Sequence, residues 1–222
     1  MIIPWDPQLI ETVLRSLFVS GSATLLSLLV GVPFGAWLAI RDFRGKRIVV
    51  ALLYTAMGFP TVAVGLLVMM LLWRSSPLGG LHWLYTVKAM ILSQVIIASP
   101  VAAGLVHAAV DAVPKRIRLT ALGLGVSRRM ADYAVLREAR IGLLVAAMAA
   151  FGSVISEVGS VMMVGGNIAG ETRVMTTAIV QEARMGRFDT AVALSVILIG
   201  VSFLIHLGLT LLNWKKSPEW TS

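Results

Sequence analysis

One carboxylate, Glu157, stands inside an apolar run, residues 141–164. An ionised acid at the middle of a bilayer costs about 2.5–3.5 kcal/mol on insertion scales, so it persists there only protonated, paired or facing water. Ser153 and Ser160 lie one helical turn to either side and are hydroxyls that would satisfy it locally. Two roles stay open for Glu157: a structural acid held by such neighbours, or a group at a subunit contact or pathway whose hydrogen bonds change as that pathway opens. Its negative charge argues against its holding an anion. Further on, the segment 166–189 carries Asn167, Thr172, Arg173, Thr176 and Thr177. Amide, hydroxyl and guanidinium groups all donate hydrogen bonds, the chemistry that receives an oxyanion; they would equally hold a polar loop together by capping.

The other reactive types are scattered. His82, His107 and His206 fall in separate segments with no His-x-x-x-His or His-Glu pairing, and there is no cysteine, so no metal site is expected. No Ser/His/Asp constellation, no Gly-x-Ser-x-Gly elbow and no Gly-x-x-x-x-Gly-Lys-Ser/Thr loop occurs. The chain is therefore expected to have no catalytic residues, to be no enzyme, and to bind neither a cofactor nor ATP itself.

The elements that must position these residues are membrane spans. Of 222 residues 58% are hydrophobic and 14% charged, against about 25% charged in soluble domains. Runs at 16–40, 48–73, 90–110, 141–164 and 190–212 exceed the length needed to cross, which makes residues 1–222 a single all-α transmembrane domain of five helices. The apolar piece 174–180 is too short to cross and is expected to fold back as a re-entrant or surface helix. Pro33, Pro60 and Pro100 should each kink a span, and Gly31 with Gly35 has the small-xxx-small spacing of close helix approach. Trp5 reads as an interfacial anchor; residues 1–11 lack Lys and Arg, which speaks against a cleaved signal peptide.

The net charge of +8 would raise nucleic acid as a partner for a soluble protein. Here it orients the chain instead. The turn 41–47 holds four Lys/Arg, the loop 111–140 seven and the tail two (Lys215, Lys216), thirteen of nineteen on one side. The positive-inside rule puts that side in the cytoplasm, with the N-terminus outside and the C-terminus inside.

The loop 111–140 is too charged for hydrocarbon. Val113-Pro114 should open a short helix, Gly123 and Gly125 stop it, and Ser127 should cap a second helix from Arg128 onward. Arg128, Arg129 and Asp132 would form its outward face. The stretch Leu119-Thr120-Ala121-Leu122-Gly123-Leu124-Gly125-Val126-Ser127 resembles the cytoplasmic signature loop of ABC-importer permeases: Ala121 and Gly125 keep the pattern and Val135 stands at its Ile place, while Leu119, Thr120 and Arg137-Glu138 depart from it. A second stretch, Glu138-Ala139-Arg140 followed by Phe151-Gly152-Ser153-Val154-Ile155-Ser156-Glu157-Val158-Gly159 and Met162-Met163-Val164-Gly165-Gly166-Asn167, is similar to the oxyanion branch of that family, molybdate and sulfate permeases, and is closest to tungstate-importer permeases.

That resemblance implies a type I importer fold and a loop that docks on a separate ATP-binding subunit through Thr120, Ala121, Gly125, Val126, Ser127, Arg128 and Arg129. It implies a pathway or gate near Ser153, Glu157, Ser160, Asn167 and Thr176. The partners implied are a second copy of the chain, two ATP-binding subunits that hold ATP and Mg, an extracytoplasmic anion-binding protein and the bilayer, with no nucleic acid. The membrane is the cytoplasmic one, crossed several times. Two other classes remain open: a proton-coupled secondary transporter with Glu157 as carrier, and a membrane scaffold that docks a soluble enzyme through the basic loop.

Overall fold

In lipid every backbone N–H and C=O must find its partner within the chain, and the α-helix does this within one segment. The computed structural model describes residues 7–214, and side chains to 211. The readings of Trp5 and of the Lys215–Lys216 tail lie outside the described residues. All regular structure among the described residues is helical: α1 (Pro7–Ile40), α2 (Lys46–Ala56), α3 (Thr61–Leu71), a 3-10 turn (Gly79–Leu81), α4 (Val87–Asp111), α5 (Lys115–Gly123), α6 (Arg128–Glu138), α7 (Arg140–Ile155), α8 (Gly159–Gly165), α9 (Met175–Arg184) and α10 (Phe188–Trp214).

Three of these, α1, α4 and α10, are long and apolar enough to cross a membrane alone; α2 with α3, and α6 with α7, reach that standard only as bent pairs. The prolines do not act alike. Pro33 and Pro100 sit inside uninterrupted helices. Pro60 ends one: α2 stops at Ala56 and α3 restarts with Pro60 as its N-cap. Their immediate neighbours do not explain the difference, since Gly31-Val32 precedes Pro33 as Gly58-Phe59 precedes Pro60.

The run 141–164, expected as one span, is two helices. α7 ends at Ile155 and α8 begins at Gly159. Just past the end of α7, Ser156 Oγ donates back to the Gly152 carbonyl at 2.7 Å.

The residues form two compact units, residues 1–23, 60–94 and 152–222 in the first and 24–59 and 95–151 in the second. The first is built around Val19, Val68, Leu72, Ala89, Met90, Val161, Val164 and Val174. Within it α3 lies against α8 at a contact of small residues: a Cβ added at Gly65 would stand 2.5 Å from Ser160 Cα. In the second unit Ala36, Val106, Val110, Val135, Ala139 and Ala146 pack together. There Gly31 and Gly35 give α1 the close approach expected of them, and the surface they meet is Ala102, Ala103 and Val106 of α4.

Candidate functional site

The basic loop folds as helix, glycine turn, helix. α5 has Pro114 as its N-cap. Gly125 takes φ +81°, a left-handed conformation that glycine adopts without penalty, and the chain turns there. Ser127 Oγ accepts the Met130 amide at 3.3 Å and caps α6. Beneath the loop, Ala131 and Val135 are buried. Its outer surface exposes Thr120, Gly125, Ser127, Arg128 and Arg129, with Ala121 and Val126 half-buried. Four large apolar side chains stand among these charges: Leu119, Leu124, Met130 and Tyr133, of which Leu124 is 79% exposed.

Asp132 does not join that outward face. Its carboxylate accepts from Arg118 Nε at 2.7 Å and from an Arg41 Nη at 3.0 Å. One acid thus ties both helices of the loop to the end of α1. A second contact missed in the sequence lies in the same unit, where Tyr54 Oη and His107 Nδ1 are 2.9 Å apart. The Arg41–Asp132 and Tyr54–His107 pairs join residues 91 and 53 positions apart, and neither spacing carries a motif.

The candidate pathway residues fall into two places. Glu157, Ser160 and Thr176 are brought together and buried. Ser160 N–H donates to Glu157 Oε1 at 2.8 Å, so the serine that satisfies the acid does so through its backbone. Thr176 Oγ donates to the Glu157 carbonyl at 2.9 Å. Ser16, Ser20 and Gln94 line the same small chamber as Glu157 and Thr176. A clue existed in α1, where Ser16, Ser20, Thr24 and Ser27 recur at helical spacing in an apolar run. Ser153 is half-buried and lies outside the lining of the chamber.

Asn167 is elsewhere, in the loop after α8. It has φ +53°, and its Nδ2 donates to Gln181 Oε1 at 2.5 Å. Thr172 Oγ donates to the Gly165 carbonyl and accepts from Ile168 N–H. Thr177 Oγ donates to the Val174 carbonyl at 3.0 Å and accepts the Val174 amide at 3.1 Å. Arg15 is ion-paired with Glu11 and reaches the Gly170 and Arg173 carbonyls at 2.6 and 3.2 Å. The loop after α8 is thus held largely by its own hydroxyls and by one arginine from α1. Among the described residues no group of His, Cys, Asp and Glu is arranged to hold a transition metal or similar ion.

Residues 31–215 match the family described as Binding-protein-dependent transport system inner membrane component. The chain belongs to this family. It is a multi-pass membrane transport component, not an enzyme. Among relatives, it is 46% identical over 191 residues to a Haloferax volcanii protein named "Probable anion ABC transporter permease protein", covering 84% of this chain and 82% of that one. It is 37% identical over 206 residues to the tungstate uptake system permease protein TupB of Peptoclostridium acidaminophilum, covering 93% and 90%. Its identity to TupB of Campylobacter jejuni is 34% over 201 residues, 90% and 84% of the two chains. The fold matches a chain of the MetNI methionine ABC transporter in an inward-facing conformation, with TM-score 0.77, 18% identity and coverage of 98% and 100%. Membership in the family agrees with the resemblance carried by Ala121, Gly125 and the Glu157–Asn167 stretch.

Proposed function

We propose that the chain is the membrane subunit of an ATP-driven importer of an oxyanion, with tungstate as its cargo. The observation that carries this is the identity to a tungstate permease over nearly the whole of both chains, 93% of this one and 90% of the relative. Molybdate and sulfate are the competing cargoes.

The mechanism follows from the two ends of the molecule. On the cytoplasmic side the loop α5–α6 presents Leu119, Leu124, Met130 and Tyr133 among arginines. Apolar side chains this exposed on a water-facing loop are the signature of a docking surface, and the partner is an ATP-binding subunit. A second copy of the chain completes the path, because five spans in the order set by the charge bias, N-terminus outside and C-terminus inside, are too few to enclose one. An extracytoplasmic binding protein delivers the anion. Closure of the two ATP-binding subunits moves the loops and switches the spans between inward- and outward-open states, so two binding equilibria are coupled through a two-state element. The anion crosses unmodified; ATP and Mg stay on the partner.

The test is reconstitution of the chain with its ATP-binding subunit and binding protein in liposomes. ATP hydrolysis and uptake should rise with the tungstate-loaded binding protein, less with molybdate and least with sulfate. Uptake without the ATP-binding subunit, driven by a pH gradient, overturns the proposal in favour of a proton-coupled carrier.

A further inference from the structure

The chamber at the break between α7 and α8 is lined by Ser16, Ser20, Gln94, Glu157 and Thr176 among aliphatic side chains, with a volume of about 10 Å³. That is room for one particle the size of a water molecule. No Lys, Arg or His lines it.

Its polar groups point to what that particle must be. Gln94 is 3% exposed. Its Nε2 donates to the Val154 carbonyl at 3.2 Å, which fixes the amide so that Oε1 is the free end. That oxygen is buried with no hydrogen-bond partner. The hydroxyl hydrogen of Ser16 is committed to the Thr12 carbonyl and that of Thr176 to the Glu157 carbonyl. Thr176 therefore turns oxygen lone pairs, not a hydrogen, toward any neighbour in the chamber, and Ser16, whose Oγ also accepts the Met175 amide at 2.8 Å, has one lone pair left for it. Glu157 adds a carboxylate, 8% exposed, with one oxygen on the Ser160 amide. α7 ends here as well, and a helix C-terminus carries partial negative charge.

We propose that this chamber is a site for one hard monovalent cation, held by Glu157, Gln94 Oε1 and the hydroxyl oxygens of Ser16, Ser20 and Thr176. Five oxygen-bearing side chains with a single carboxylate suit a small cation of charge +1; divalent ions of this class draw more carboxylates. The break in the span belongs to the argument, since irregular backbone at membrane depth is tolerated where it is buried in protein or lines a cavity. The ends of broken helices are also where membrane proteins hold small cations. The bound ion offsets the charge of Glu157, gives the unpartnered Gln94 Oε1 a partner, and joins α1, α4, the α7–α8 break and α9. The site does not depend on which anion the chain carries.

The test uses the full-length chain in nanodiscs with radioactive sodium ion as the probe. Saturable binding of about one Na⁺ per chain is expected, displaced by unlabelled NaCl and not by choline chloride at the same ionic strength. Thermal unfolding should shift upward in NaCl relative to choline chloride. Gln94→Met, which keeps the volume and removes the acceptor, should weaken binding at least about tenfold, and Ser20→Ala should weaken it less; both are judged on samples with the helical content and elution profile of the unaltered chain. Glu157→Gln should abolish binding. Absence of saturable Na⁺ binding to the unaltered chain, as for a chamber holding only water, overturns the proposal. So does undiminished binding in a folded Gln94→Met chain.

Discussion

Arg118 Nε lies 2.7 Å from Asp132 Oδ1, and an Arg41 Nη lies 3.0 Å from the other oxygen of the same carboxylate. The acid is mostly covered, its side chain 17% exposed, while Arg41 keeps 44%. In water-facing positions such pairs contribute less than about 1 kcal/mol each, so their value here is geometric: they set the angle of the α5–α6 loop against α1. Asp132→Ala is expected to lower thermal stability by less than about 1 kcal/mol. It should cut ATP hydrolysis stimulated by the loaded binding protein by several-fold, while basal hydrolysis by the assembled transporter stays near normal. Asp132→Glu should restore much of the stimulation.

The exposed apolar residues of the loop give a second, separable outcome. Leu124, 79% exposed, contributes little to the fold of the chain itself. Leu124→Glu should leave the unfolding temperature unchanged and abolish co-purification of the ATP-binding subunit, because burying a carboxylate at a docking surface without a partner costs several kcal/mol. Arg128→Ala, at the edge of that surface, should weaken the complex by a smaller factor and make it less sensitive to salt. Pull-down at two ionic strengths reads both.

What was legible in the sequence is what depends on local pattern. Apolar run length marked α1, α4 and α10 as long enough to cross, and proline, glycine and Ser127 marked the turns of the loop because capping and φ restrictions act within a few residues. Pro33, Pro60 and Pro100 look alike in the sequence, yet only Pro60 interrupts its helix; Gly31-Val32-Pro33 and Gly58-Phe59-Pro60 share even the glycine two residues earlier, so local pattern does not decide it. Glu157 stood out as an isolated charge, but its company did not: Gln94 and Ser16 are 63 and 141 positions away, and nothing short of the fold brings them to one chamber. Asp132 shows the same limit in reverse. Helical spacing put it beside Arg128 on an outward face, whereas contacts with Arg41 and Arg118 turn it inward.

The glycine contacts predict a graded response to added bulk. Gly65 faces Ser160 Cα at 2.5 Å for an added Cβ, while Gly200 has open space around it. Gly65→Leu should therefore destabilise the chain by about 1–3 kcal/mol, the usual cost of overpacking, or prevent its folding. Gly200→Leu should be neutral or slightly stabilising, since glycine in a helix interior costs roughly 1 kcal/mol relative to better formers. Parallel unfolding curves in detergent compare the two; equal behaviour of the pair would mean that α3 and α8 do not meet at Gly65 and Ser160.

The hydrogen bond from Ser160 N–H to Glu157 Oε1 separates the shape of that acid from its charge. Glutamine keeps an acceptor oxygen of the same reach, and alanine removes it, leaving a buried amide with nothing to bond. An unsatisfied buried donor costs about 1–3 kcal/mol. Glu157→Ala should therefore lower the unfolding temperature well beyond Glu157→Gln when both are measured in choline chloride, where no small cation is present to add its own contribution. In NaCl the unaltered chain should pull ahead of both variants, so the two salts together distinguish the loss of one hydrogen bond from the loss of a charged ligand.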